Sequence, residues 1–165
     1  MAIKRNLFTN DIYTIDMSSI KELHERYPKN LFPTIWEHIT SLIQNGQLVS
    51  HIEVQREIKN TNYPTDKLLL WSNKNKKIFL GIDACQTSKI PLIKAKYNLG
   101  EWKNKMNRTG PWADPYLIAM GMCESAIIIT QESKTKANRI PPIANQLGVK
   151  SLNLLEFFEV LKIKL

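Results

Sequence analysis

Cysteine is scarce: Cys85 and Cys123 are the only two in 165 residues. A disulfide framework needs more cysteines and an export context, so Cys123, set in the apolar run LIAMGMC, reads as a small buried thiol. Histidine is almost as sparse. His24, His38 and His51 have no cysteine or acid at zinc-ligand spacing, which argues against zinc. No apolar stretch approaches the roughly 18 residues of a membrane helix. The N-terminal Met-Ala-Ile-Lys-Arg-Asn also lacks the apolar core of a signal peptide. These absences point to the cytoplasm and to no membrane partner. Acid is short relative to base, 15 Asp and Glu against 23 Lys and Arg, for a net charge of +8. That balance favours polyanionic partners, because basic groups neutralise phosphates and release counterions, although many basic proteins touch no nucleic acid.

What is present describes one packed domain over residues 1–165. Hydrophobic residues make up 43% and charged residues 23%, enough apolar side chain for a core rather than disorder. Short strands alternate with helices. Residues 11–17 (DIYTIDM) read as a buried strand. Ser18 and Ser19 then serve as N-caps of a helix that Pro28 stops near Tyr27. A second helix begins at Pro33, with Thr34 and Glu37 at capping-box spacing, and closes at Gly46. A short extended piece over 47–50 leads into a helix over about 51–59, where Ser50 and Glu53 repeat the capping-box spacing. Residues 66–73 (DKLLLWSN) read as a helix. Across 74–110 Lys and Arg far outnumber the two acids, Asp83 and Glu101, and the pattern predicts no clear topology. Regularity returns with a helix over 113–124, a wholly buried strand over 126–130 (AIIIT), a helix over 141–147, a short strand over 149–153 and a last helix over 154–161.

Such alternation predicts an α/β protein, a mainly parallel sheet covered by helices on both faces. Ligands of such sheets bind outside the carboxyl ends of the strands, which gives the acids their meaning. Asp16 ends the first strand, Glu132 follows the 126–130 strand, Asp114 opens the helix before it, and Glu57 lies on the 51–59 helix. Phosphodiester hydrolysis wants such groups, because a hard divalent cation held by a few carboxylates stabilises charge on the phosphate oxygens and activates water. The signature is scattered single acids at element ends. Each also has a plainer explanation. Asp114 could merely favour a helix N-terminus, and Ser18 could be only a cap. Glu53 competes with Glu57, but its capping-box spacing from Ser50 assigns it a backbone hydrogen bond. Asp66 and Asp83 read as solvated or capping acids. Trp71, Trp102 and Trp112 could stack on bases, although tryptophans in a small domain are more often core.

Four segments together resemble the PIN-domain (VapC-like) nuclease superfamily. TIDMSSI looks like its opening motif, VSHIEVQREI its second, WADPYLIAMG its third and IIITQE its fourth. The closest resemblance is to a PIN-like prokaryotic branch catalogued as a domain of unknown function. It rests on Tyr27-Pro28, on Phe32-Pro33 through Trp36-Glu37, on Asp66, Leu68 and Trp71, on the WADP and T-x-E segments, and on Arg139-Ile140-Pro141. These cover nearly the whole chain outside about 74–110. The resemblance implies a three-layer α/β/α sandwich and a metal-dependent endoribonuclease, the toxin of a toxin–antitoxin pair. It implies that Asp16, Asp114 and Glu132 hold Mg²⁺ or Mn²⁺, that Glu57 supports the metal or orients water, and that Ser18 and Thr130 steady carboxylates from behind. PIN domains at large often carry Asp where this chain has Glu132. The implied partners are an RNA substrate, a cognate antitoxin and a second copy of the chain. Lys134, Lys136 and Arg139, close behind the fourth acid, are candidates for contact with substrate phosphate. The alternatives are a catalytically weak binding module with vestigial acids, or a nuclease acting on DNA. No helix-turn-helix reading head is visible, which disfavours a DNA-binding regulator.

Overall fold

Five short aliphatic strands build the centre of the chain in a computed structural model that describes residues 10–60, 66–97 and 110–164. They are β1 (Tyr13–Ile15), β2 (Leu48–His51), β3 (Phe79–Leu80), β4 (Ile127–Ile129) and β5 (Ser151–Leu152), all parallel, in the order β3-β2-β1-β4-β5. In the centre, Ile15 pairs with Ile129 in register. Central parallel strands are covered on both faces, which is why β1 is entirely buried and β4 is III.

Among the described residues the helices are α1 (Met17–Arg26), α2 (Pro33–Gln44), α3 (Ile52–Asn60), α4 (Asp66–Lys74), α5 (Ala84–Lys94), α6 (Asp114–Glu124), α7 (Ile140–Gln146) and α8 (Leu154–Val160). The chain steps outward from β1 to β2 to β3, then returns to β4 and steps the other way to β5. Right-handed crossovers therefore set α1–α4 on one face of the sheet and α5–α7 on the other. The packing agrees: α1, α3 and α4 touch one another, while α6 lies against β1, β2 and β4 and packs on α5 and α7. This is the expected α/β/α sandwich. Gly121 lets α6 approach closely, since a Cβ there would stand 2.3 Å from Val149 Cγ1. No helix among the described residues is long and apolar enough to cross a membrane.

Several local expectations are corrected. Asp16, not Ser18 or Ser19, is the N-cap of α1, its carboxylate accepting from the Ser19 amide. The Thr34–Glu37 box does not form; Phe32 precedes α2 with no side-chain cap, and Pro33 at its first position needs none. Ser50 turns away from α3 and donates to the Ile15 carbonyl at 2.6 Å. The Glu53 amide is satisfied instead by His51 Nδ1, and the Glu53 carboxylate pairs with Arg56. The segment that resisted reading holds β3 and α5, the latter capped by Asp83 and containing Pro91. Finally, Cys85 and Cys123 are not buried thiols: they form a disulfide that ties α5 to α6.

Candidate functional site

The sheet reverses its winding between β1 and β4, and a crevice opens at the carboxyl ends of such neighbouring strands. Asp16 follows β1 and Thr130 follows β4, and Thr130 Oγ1 donates to Asp16 Oδ2 at 2.7 Å. The other carboxylate oxygen accepts from Ser18 Oγ at 2.6 Å and from the Ser19 amide at 3.0 Å. Ser18 Oγ in turn accepts from the Gln131 amide, and Thr130 Oγ1 accepts from the Glu132 amide. A chain of hydroxyls thus fixes Asp16 and ties the start of α1 to the loop after β4.

Asp16 is buried, and desolvation raises its pKa above the ordinary carboxyl value against the opposing pull of these donors. Among the described residues no lysine or arginine forms an ion pair with it. Glu57 reaches from α3 to accept the Ala113 amide at 2.9 Å, which joins α3 to the residue before Asp114. Asp114 is the first residue of α6. Glu132 Oε2 accepts the amide of Ile140, the first residue of α7, at 2.7 Å. All four acids and Ser18 line one pocket of about 320 Å³, completed by Met17 and residues 110–113.

A donor set of carboxylate and hydroxyl oxygens, with no thiol or imidazole among the lining residues, fits a hard divalent cation. As the side chains stand, no three His, Cys, Asp or Glu among the described residues are gathered closely enough to hold a metal. The hydrogen bonds give the physical reason: Asp16, Glu57 and Glu132 are each drawn to backbone amides at element starts. These bonds orient the three carboxylates.

Lys134 is ion-paired with Glu156, Lys136 is exposed in the loop, and Arg139 is the N-cap residue of α7; none lines the acidic pocket. Arg56 and Lys59 of α3 line a second hollow that shares Gly110 and Pro111 with the pocket. Sequence reasoning also missed Tyr97. Its buried phenol is held far above its usual range by desolvation, and the charges of Asp114 and Glu132 push it the same way. Its ring packs edge-on against Trp112 of the pocket wall, centroids 4.9 Å apart. A lone tyrosine in a basic stretch gave no signal of this placement. Trp102 lies outside the described residues.

Comparison with known proteins adds two findings. A family model described as a domain of unknown function, DUF4411, matches residues 13–165. No curated protein matches the chain. Among solved structures, a chain in the crystal structure of VapBC2 from Rickettsia felis bound to a DNA fragment from their promoter is similar at a TM-score of 0.50 and 14% identity. The match covers 86% of this chain and 98% of that one. At that identity the likeness carries the fold, a PIN-like three-layer sandwich.

Proposed function

The chain belongs to DUF4411, a family of unknown function, and folds as a PIN-like domain; from that premise we propose that it is a metal-dependent endoribonuclease, the toxin of a toxin–antitoxin pair. One observation carries the reading: Asp16, Glu57, Asp114 and Glu132, scattered across 117 positions of sequence from 16 to 132, line a single pocket at the carboxyl edge of the sheet. Asp16, Asp114 and Glu132 would hold the cation. Mg²⁺ or Mn²⁺, when bound, neutralises charge on the phosphate oxygens and acidifies water. Asp16 would supply a ligand whose orientation is fixed by Ser18 and Thr130. Glu57, anchored by one oxygen to the Ala113 amide, orients the attacking water and takes its proton. Arg56 and Lys59, at the adjoining hollow, join Lys134, Lys136 and Arg139 as candidates for contact with backbone phosphate.

RNA as the substrate, a cognate antitoxin, a homodimer and the cytoplasm complete the reading, on the resemblance to PIN toxins; the similar chain's presence in a VapBC2 complex supports a protein partner. The test is cleavage of single-stranded RNA, transfer RNA and single-stranded DNA side by side, with Mg²⁺, with Mn²⁺ and with chelator. Asp114→Asn should keep the fold and lower RNA cleavage by about a hundredfold or more. Undiminished cleavage in a folded Asp114→Asn protein would sink the site, and preference for DNA would change the substrate.

A further inference from the structure

A second concavity, of about 620 Å³, lies between α1, α2 and α4 and shares no lining residue with the acidic pocket. We propose that it is a binding site for a nucleoside di- or triphosphate. Its walls are aromatic. Trp36 of α2 and Trp71 of α4 meet at 6.5 Å, and the His24 imidazole of α1 contacts both, at 4.9 and 5.7 Å between centroids. Trp36 is fixed in place by its indole N–H, which donates to the Tyr27 carbonyl at 2.6 Å. The Ile20 carbonyl can only accept, so His24 Nδ1, 2.8 Å from it, carries the ring proton. Burial and the charge of Lys67 hold the ring neutral, which leaves Nε2 as an acceptor for an amino or hydroxyl group.

Around these rings stand Lys29, Lys67 and Lys74, all exposed, and no described acidic side chain lines the hollow. Lys67, Trp71 and Lys74 recur at helical spacing on one face of α4, so ring and ammonium groups are presented together. An apolar aromatic floor accepts a planar base in a sequence-tolerant way. Three flexible ammonium groups suit several phosphate charges in one small ligand. Its volume is that of a small-molecule site. Nothing in this assignment depends on the nuclease reading, because the residues are disjoint.

The experiment is isothermal titration calorimetry of the full chain in chelator, so that the acidic pocket is silent and RNA stays intact. The probes are ADP, ATP, inorganic phosphate and a short single-stranded RNA. ADP and ATP should bind saturably and more tightly than phosphate. The surface double variant Lys67→Ala with Lys74→Ala should weaken nucleotide binding by about tenfold or more. Lys76→Ala with Lys77→Ala, exposed but outside the hollow, should leave it unchanged. Trp71→Phe should keep part of the affinity, since stacking survives with less area. Absence of heat with either nucleotide up to about 1 mM, or binding indifferent to the Lys67 and Lys74 changes, overturns the proposal. RNA binding lost with Lys67 and Lys74 but without nucleotide binding also overturns it, and assigns the hollow to a strand.

Discussion

Helix α1 serves two pockets of opposite character. At its first turn Asp16 and Ser18 face the acidic pocket, where Asp16 accepts short hydrogen bonds from Ser18 and Ser19 of its own helix and from Thr130 after β4. Toward its other end His24 faces the aromatic hollow, rimmed by lysines and held by ring contacts. Six residues, about 9 Å of helix, separate Ser18 from His24. The difference shows how one scaffold separates two electrostatic tasks. Strand ends and helix starts concentrate amides and hydroxyls, which orient carboxylates. Helix faces away from that edge concentrate apolar surface, with charge on flexible stems around it. A perturbation of one pocket should therefore leave the other standing.

The largest expected effect breaks the symmetry of support. The acidic pocket's helix α6 is tied to α5 by Cys85–Cys123, whereas the helices of the hollow share no such bond. For a sequence separation of 38, the chain-entropy model gives a contribution of about 4 kcal/mol. Cys85→Ser with Cys123→Ser should lower the urea midpoint as far as reduction of the parent does, with little change in slope. Coincident midpoints for oxidised, reduced and variant chains would remove the bond from the account of stability.

Next in size is the hydroxyl that closes the acidic network. Thr130→Val keeps the shape of a buried side chain but deletes the donor to Asp16 Oδ2 and the acceptor for the Glu132 amide. Hydrogen bonds to charged groups are worth more than neutral ones, so unfolding free energy should fall by roughly 2 kcal/mol. Cleavage should fall roughly 10- to 100-fold, as for the supporting partner of a metal ligand. Nucleotide affinity at the hollow should not move. A parallel loss in both pockets would show that they are coupled through α1 rather than independent.

The same contrast explains what was legible in the sequence. The strands and most helices announce themselves through local pattern, and the four acids stand out because each sits at or near an element end. Caps were harder, since several hydroxyls compete for the same amides. Ser18 and Ser19 looked like caps, yet Asp16 already has the extended backbone from which a short carboxylate reaches the Ser19 amide. Ser50 and Glu53 have the right spacing for a box, but the strand carbonyl of Ile15 takes the Ser50 hydroxyl. In the fold Glu57 is marked out from Glu53 by its reach to Ala113, not by any cap at Glu53. Helix α5 was hidden by Pro91 and by an exposed Leu92 that blurs its apolar face. The cysteine pair, Tyr97, the Lys134–Glu156 ion pair and the aromatic hollow are all products of tertiary placement, to which no local period points.

The smallest expected effect is a pH dependence that tells the two regions apart. His24 in the hollow and His51 near the sheet edge both have pKa values lowered chiefly by burial. His51 keeps Nδ1 as an acceptor for the Glu53 amide and its other nitrogen 3.0 Å from Gln86 Oε1, so it too is held as a neutral ring. The unfolded chain takes up these protons as pH falls below about 6.5 while the folded chain does not. Each histidine thus contributes stability that is complete above that value and is lost as pH falls toward its depressed folded value. Asp16, raised by burial, works the other way, losing its contribution as pH rises through its folded value. The readout is therefore the difference between variant and parent from about pH 7.5 to about 5.5. His24→Gln and His51→Gln should each flatten the slope. Saturating ADP should enlarge the His24 share alone, because a ligand amino or hydroxyl group donating to Nε2 favours the neutral ring. If ADP alters the His51 share equally, or neither share, the separation of the two pockets fails.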